Sequence, residues 1–134
     1  MLLDCPPGSG MNLSIDGRAV DLVEREFIDF PGEAVTHGVL RGTPVRDFNV
    51  MARRGAIKYR RGWKSVAALE WFRLGGSDWR VVHVHSGVAE LVGAASLRDV
   101  AAGETVVVSG EDELNLRGSK AGARLVWAVF TAAA

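Results

Sequence analysis

"GTPVRDFNVMARRG", residues 42–55, sets an aspartate and an asparagine two positions apart among apolar neighbours. Successive side chains of a β-strand point to opposite faces. As a strand, the stretch gives Phe48, Val50 and Ala52 one apolar face, while Val45, Asp47, Asn49 and Met51 share the other. Two short hydrogen-bonding groups then stand side by side, as on a solvated surface or on the wall of a polar pocket.

The rest of the chain shares this strand rhythm. "MNLSI" (11–15) and "RAVDLV" (18–23) flank Asp16-Gly17, a pair that accepts the positive φ angles of a type I′ turn and predicts a hairpin. "EFIDF" (26–30) runs into Pro31-Gly32, and "AVTHGVLRG" leads to the opening stretch. "ALEWFRL" (68–74) and "DWRVVHVH" (78–85) bracket Gly75-Gly76, a second hairpin candidate. "ETVVVSG", "ELNLRG" and "RLVWAVF" follow, with glycines at 103, 110, 118 and 122 between them. One competing reading makes "VDLVEREFIDF" a helix, with Val20, Val23, Phe27 and Phe30 on one face. Many short strands separated by glycine and polar turns predict a sandwich or barrel with little or no helix. One all-β domain over 1–134 is the expectation.

Composition narrows the class. Apolar residues make up 48% of the 134 and charged ones 24%, the balance of a chain that folds around one core. Sixteen basic and sixteen acidic side chains cancel, so no global field draws the protein to nucleic acid or to an anionic membrane. No apolar run approaches the ~20 residues of a spanning helix, and no basic segment precedes an apolar core at the start. The single cysteine, Cys5, fits a reducing compartment. A cytoplasmic protein is expected.

The opening stretch, with "LLDCPPGSGMNLSIDGRAVDL" and "FIDFPGEAVTHGVLRGTPVRDFNVM" before it, resembles the "GPVRDFNLM-R-G" signature of the HutD/Ves family of bacterial cupin-like proteins. The match covers about residues 2 to 55; beyond that, only the glycine-and-valine rhythm is similar. Pro31-Gly32-Glu33 stands where the family has its "FPGD-like" turn. Thr43 is inserted between Gly42 and Pro44, and a segment with a "W-K-N-G-G-G" motif common in the family has no counterpart here. The resemblance implies a cupin-like β-barrel of jelly-roll or sandwich type. It also implies a part in histidine utilisation, through binding an intermediate such as N-formylglutamate or urocanate, without catalysis or a cofactor.

On that reading Asp47 and Asn49 offer acceptors and an amide donor to a small ligand, and Met51 packs its apolar part. Arginine's planar fork grips a carboxylate through two parallel hydrogen bonds. Arg46, Arg53 and Arg54 flank the pair, and Arg53, of the same parity as Asp47 and Asn49, is preferred over Arg54 as the ligand's charge partner. The opposing chemistry lies at "HVHSGVAE". There His83, His85 and Glu90 form H-x-H-x4-E, part of the metal-binding pattern of catalytic cupins, with both histidines on one strand face. No histidine follows His85 to complete the set. His37 is expected to be structural, Cys5 incidental, and the tryptophans packing elements. If the first hairpin leaves an open strand edge, a second copy would cover it, giving a homodimer.

Overall fold

The computed structural model describes residues 1–5, 7–93 and 97–134, with the backbone alone for residues 3 and 4. Among the described residues eleven strands run in the order β1 (Leu2–Asp4), β2 (Gly10–Ile15), β3 (Arg18–Leu22), β4 (Thr36–Arg41), β5 (Arg46–Phe48), β6 (Ile57–Val66), β7 (Trp71–Leu74), β8 (Trp79–Val92), β9 (Leu97–Ala101), β10 (Thr105–Ser109) and β11 (Leu114–Ala132). No described residue is helical, and no helix is long and apolar enough to cross a membrane. The strands pack as two compact units, Met1–Met51 and Ala52–Ala134.

In the first unit β2 pairs antiparallel with β3 on one side and β4 on the other, and β1 pairs with β5. Asp16 and Gly17 both take positive φ, 49° and 80°, so the predicted hairpin turn forms. Asp16 also ties the hairpin to β4: its Oδ1 accepts from the Val35 amide at 2.9 Å, and its own amide donates to the Val35 carbonyl at 2.9 Å. The competing helix over "VDLVEREFIDF" does not form. The hairpin turn feeds Val20 into the ladder opposite Leu13, and the chain then turns at Arg25, whose φ is +67°. Cys5 and Leu22 are the buried centre of a small cluster, with Met1, Met11, Ile28 and Val45 packed against them.

The second unit is built on two long strands. β8 and β11 pair along most of their lengths, with irregular register between Gly118 and Ala123 and between Arg124 and Leu125. The resulting sheet has the order β10-β8-β11-β6, with β7 joined to β11 and β9 to β8. "ELNLRG" and "RLVWAVF", expected as separate strands, are one element of 19 residues. Gly118 explains why the chain can continue through this point: a Cβ there would lie 2.0 Å from the Ala67 carbonyl oxygen, so only glycine permits the approach.

The Gly75-Gly76 turn joins β7 and β8 without pairing them. β7 pairs with β11 instead, setting Leu74 opposite Leu114 and Phe72 opposite Leu116. That arrangement adds Leu74, Leu114 and Leu116 to the core of Val82, Val84, Ala89, Leu125 and Val129, a gain in buried apolar surface that a local β7–β8 hairpin would forgo.

Candidate functional site

Asp47 lies in β5, directly opposite residue 3 of β1. Its neighbour Phe48 stands opposite the buried Leu2, which turns Asp47 to the other face, where it is exposed. Asn49 follows the end of the strand. Its side-chain amide donates to the Asp47 carboxylate, so the two groups singled out from the sequence do stand together. The shared face with Val45 and Met51 does not extend as expected, because the strand stops at Phe48. Val45 packs against the Cys5–Leu22 cluster, whereas Met51 is 90% exposed. Arg53 belongs to the second unit. Its carbonyl accepts from the Ala56 and Ile57 amides at 3.2 and 3.1 Å, forming the turn into β6.

A second constellation lies on the sheet of that unit. Directly opposed residues of antiparallel strands share a face. Three rows cross it: Tyr59, Phe130, Trp79 and Ser109; Arg61, Ala128, Val81 and Val107; and Trp63, Val126, His83 and Thr105. The opposite face carries Val82, Val84, Leu125 and Val129 into the core. His83 Nδ1 is 2.9 Å from Thr105 Oγ1. The His85 ring stands edge-on to Trp63, at 5.1 Å between centroids and 89° between planes. The floor strand β11 contributes only Val126, Ala128 and Phe130, all buried. A guanidinium, two imidazoles and the rings of Tyr59, Trp63, Trp79 and Phe130 thus share one face. A guanidinium is able to fork a carboxylate, and aromatic rings are able to flank an apolar carbon skeleton.

His83, His85 and Glu90 do not assemble as a metal site. Glu90 Oε2 lies 2.6 Å from both Nε and Nη2 of Arg117, so this carboxylate stands in an ion pair with Arg117. Arg117 also rests 5.8 Å from the Trp71 ring centre. Among the described residues no three His, Cys, Asp or Glu side chains are grouped so as to hold a metal ion. His37 is exposed on β4, and Cys5 is buried with its thiol donating to the Ser9 carbonyl at 3.5 Å. One carboxyl is visibly perturbed: Glu70 is held below the usual carboxylate range by the Lys64 ammonium at 2.6 Å, then by the Ala67 amide at 2.8 Å.

Sequence reading passed over Arg61. The signal was present as the alternation Tyr59, Arg61, Trp63 within "IKYRRGWKSV", to which no strand was assigned.

Comparison with known proteins bears on this geometry. The HutD family profile matches residues 3–126, well past residue 55, where the resemblance read from the sequence stops. No curated protein matches the sequence. A crystal structure of a conserved protein of unknown function from Pseudomonas aeruginosa PAO1 superposes with a TM-score of 0.77 at 18% identity, over 98% of this chain and 70% of that one. A cupin superfamily protein from Desulfitobacterium hafniense DCB-2 aligns at 11% identity over 61% of this chain and 84% of its own, with a TM-score of 0.48. The Cnp3 cupin domain of Schizosaccharomyces pombe gives the same score at 9% identity, over 74% and 79%. The fold is all-β, as the strand rhythm led one to expect, and it is shared with the Pseudomonas structure over 98% of this chain.

Proposed function

The chain belongs to the HutD family, and we propose that it is a non-catalytic member that binds a small carboxylate-bearing metabolite. N-formylglutamate or urocanate is the type of ligand proposed, with a regulatory part in histidine utilisation, in the cytoplasm. The observation that carries the reading is Arg61, set on an apolar sheet face with Trp63, His83 and His85. Small-ligand sites are mostly apolar surfaces with a few placed polar groups, and this face has that make-up. The signature offers a separate candidate for the same class of ligand, with Asp47, Asn49 and Met51 as contacts and Arg53 as the charge partner.

A thermal-shift titration with N-formylglutamate, urocanate, glutamate and histidine tests the reading. A ligand at about a hundred times its dissociation constant stabilises the folded state by roughly 2.7 kcal/mol, a rise of several degrees in midpoint. A saturable shift lost in Arg61→Gln assigns the carboxylate to the sheet face; one lost in Asp47→Ala assigns the ligand to the signature. No shift with any of the four compounds overturns the proposal.

A further inference from the structure

Charge is segregated along the second unit although the whole chain is neutral. Residues 52–69 hold six basic side chains, Arg53, Arg54, Lys58, Arg60, Arg61 and Lys64, and no acidic one. Residues 99–116 hold five acidic side chains, Asp99, Glu104, Glu111, Asp112 and Glu113, and no basic one. The fold carries these two stretches to opposite borders of one sheet, whose order β10-β8-β11-β6 ends in β6 on one side and β10 on the other. Among the described residues β6 pairs only with β11, and β10 only with β8. Lys58 and Arg60 on one border, and Thr105, Val107 and Ser109 on the other, are exposed. Charges of one sign guard the β6 edge, whereas "TVVVS" has no charge or proline of its own to prevent another strand from adding to it.

We infer that the protein associates head to tail, with β6 of one copy adding to β10 of the next. Strand directions alternate through the sheet, so a copy displaced sideways presents its β6 antiparallel to β10. The cross-sheet row Tyr59, Phe130, Trp79 and Ser109 fixes the height. Without stagger, the incoming Tyr59 lies beside Ser109. Lys58 and the chain before it, including Arg53, then lie beside Glu111, Asp112 and Glu113.

Two β6 edges brought together would oppose their Lys58 and Arg60 side chains. Two β10 edges would oppose their acidic loops, and like charges across an interface are costly. The complementary edge is therefore found on a second copy of this chain, in matching register. Because donor and acceptor edges differ, the contact is heterologous and propagates instead of closing on a two-fold axis. This inference stands apart from ligand binding and does not depend on it.

Sedimentation velocity over a range of concentrations, on the full chain, tests the association. The expected result is a weight-average mass that climbs past the dimer with concentration. High salt should suppress the climb, because the screening length falls from ~10 Å at 0.1 M to ~3 Å at 1 M. Two charge-reversed variants sharpen the test: Lys58→Glu with Arg60→Glu, and Glu111→Lys with Asp112→Lys and Glu113→Lys. Each alone should associate about tenfold or more weakly than the parent. An equimolar mixture should regain association, since each variant then meets an edge of opposite sign. Circular dichroism on each variant confirms that it is folded. A parent that stays monomeric at low salt, a mass that stops at the dimer, or a mixture no stronger than its parts overturns the inference.

Discussion

Replacing Arg80 should unfasten one end of the second unit. This side chain is fully buried, at 0% exposure, and its guanidinium donates to the carbonyls of Ser77 and Gly110. It therefore ties the turn before β8 to the turn after β10, where the Gly110 amide also donates to the Asp78 carbonyl at 3.0 Å. Hydrogen bonds with a charged partner contribute about 1.5–3 kcal/mol each, so the two together amount to roughly 3–6 kcal/mol. Relief of the buried charge's desolvation offsets part of that. Arg80→Met, which keeps most of the volume, should thus cost about 1–3 kcal/mol. Arg80→Ala adds an unfilled cavity and should cost about 3–5 kcal/mol. Urea unfolding with an unchanged m-value measures both, and exchange of the Gly110 amide should quicken in step. An alanine variant within about 1 kcal/mol of the parent would refute the role of Arg80 as a fastener.

Further predictions concern the core and one carboxyl. Gly118→Ala forces a methyl against the Ala67 carbonyl oxygen and should lower stability by about 3 kcal/mol, read as a fall in Tm. Leu125→Ala empties a site with no solvent exposure and should cost about 2–5 kcal/mol by chemical denaturation. Glu70, with its pKa lowered mainly by the Lys64 hydrogen bond, should titrate by NMR below the 4.5 of an unperturbed side chain. A lowered folded-state pKa gives stabilisation that is present above the unfolded value and fades as pH falls through the folded one. Lys64→Met should move the Glu70 midpoint back up, and an unmoved midpoint would contradict the assignment.

The local chemistry of turns was legible. Asp16-Gly17 called for positive φ twice, and that turn decided hairpin over helix for residues 20–22, where the two readings overlap. The long-range partners were not legible in this way. Nothing local in Gly75-Gly76 says that β7 will pair with β11, because the preference lies in burying Leu74 and Phe72 against Leu114 and Leu116. Gly118 and Gly122 read as breaks, whereas they lie within one strand where its register with β8 shifts. β6 went unread because "IKYRRGWKSV" is too charged for a half-buried strand by composition; as an edge strand it tolerates those charges. For the site, the pairing of Asp47 with Asn49 followed from their spacing. The grouping of Arg61, Trp63, His83 and His85 could not, since it is made by the registers of β6 and β8 on β11, which set Trp63 and His83 on either side of Val126.

Isothermal titration calorimetry of the full chain with N-formylglutamate, alongside the same compound with its carboxylates blocked as amides, addresses the central claim most directly. The account predicts saturable binding of the acid with loss of affinity in Arg61→Gln or Asp47→Ala, and no measurable heat from the blocked compound. Equal binding of both compounds, or none of either, would contradict it.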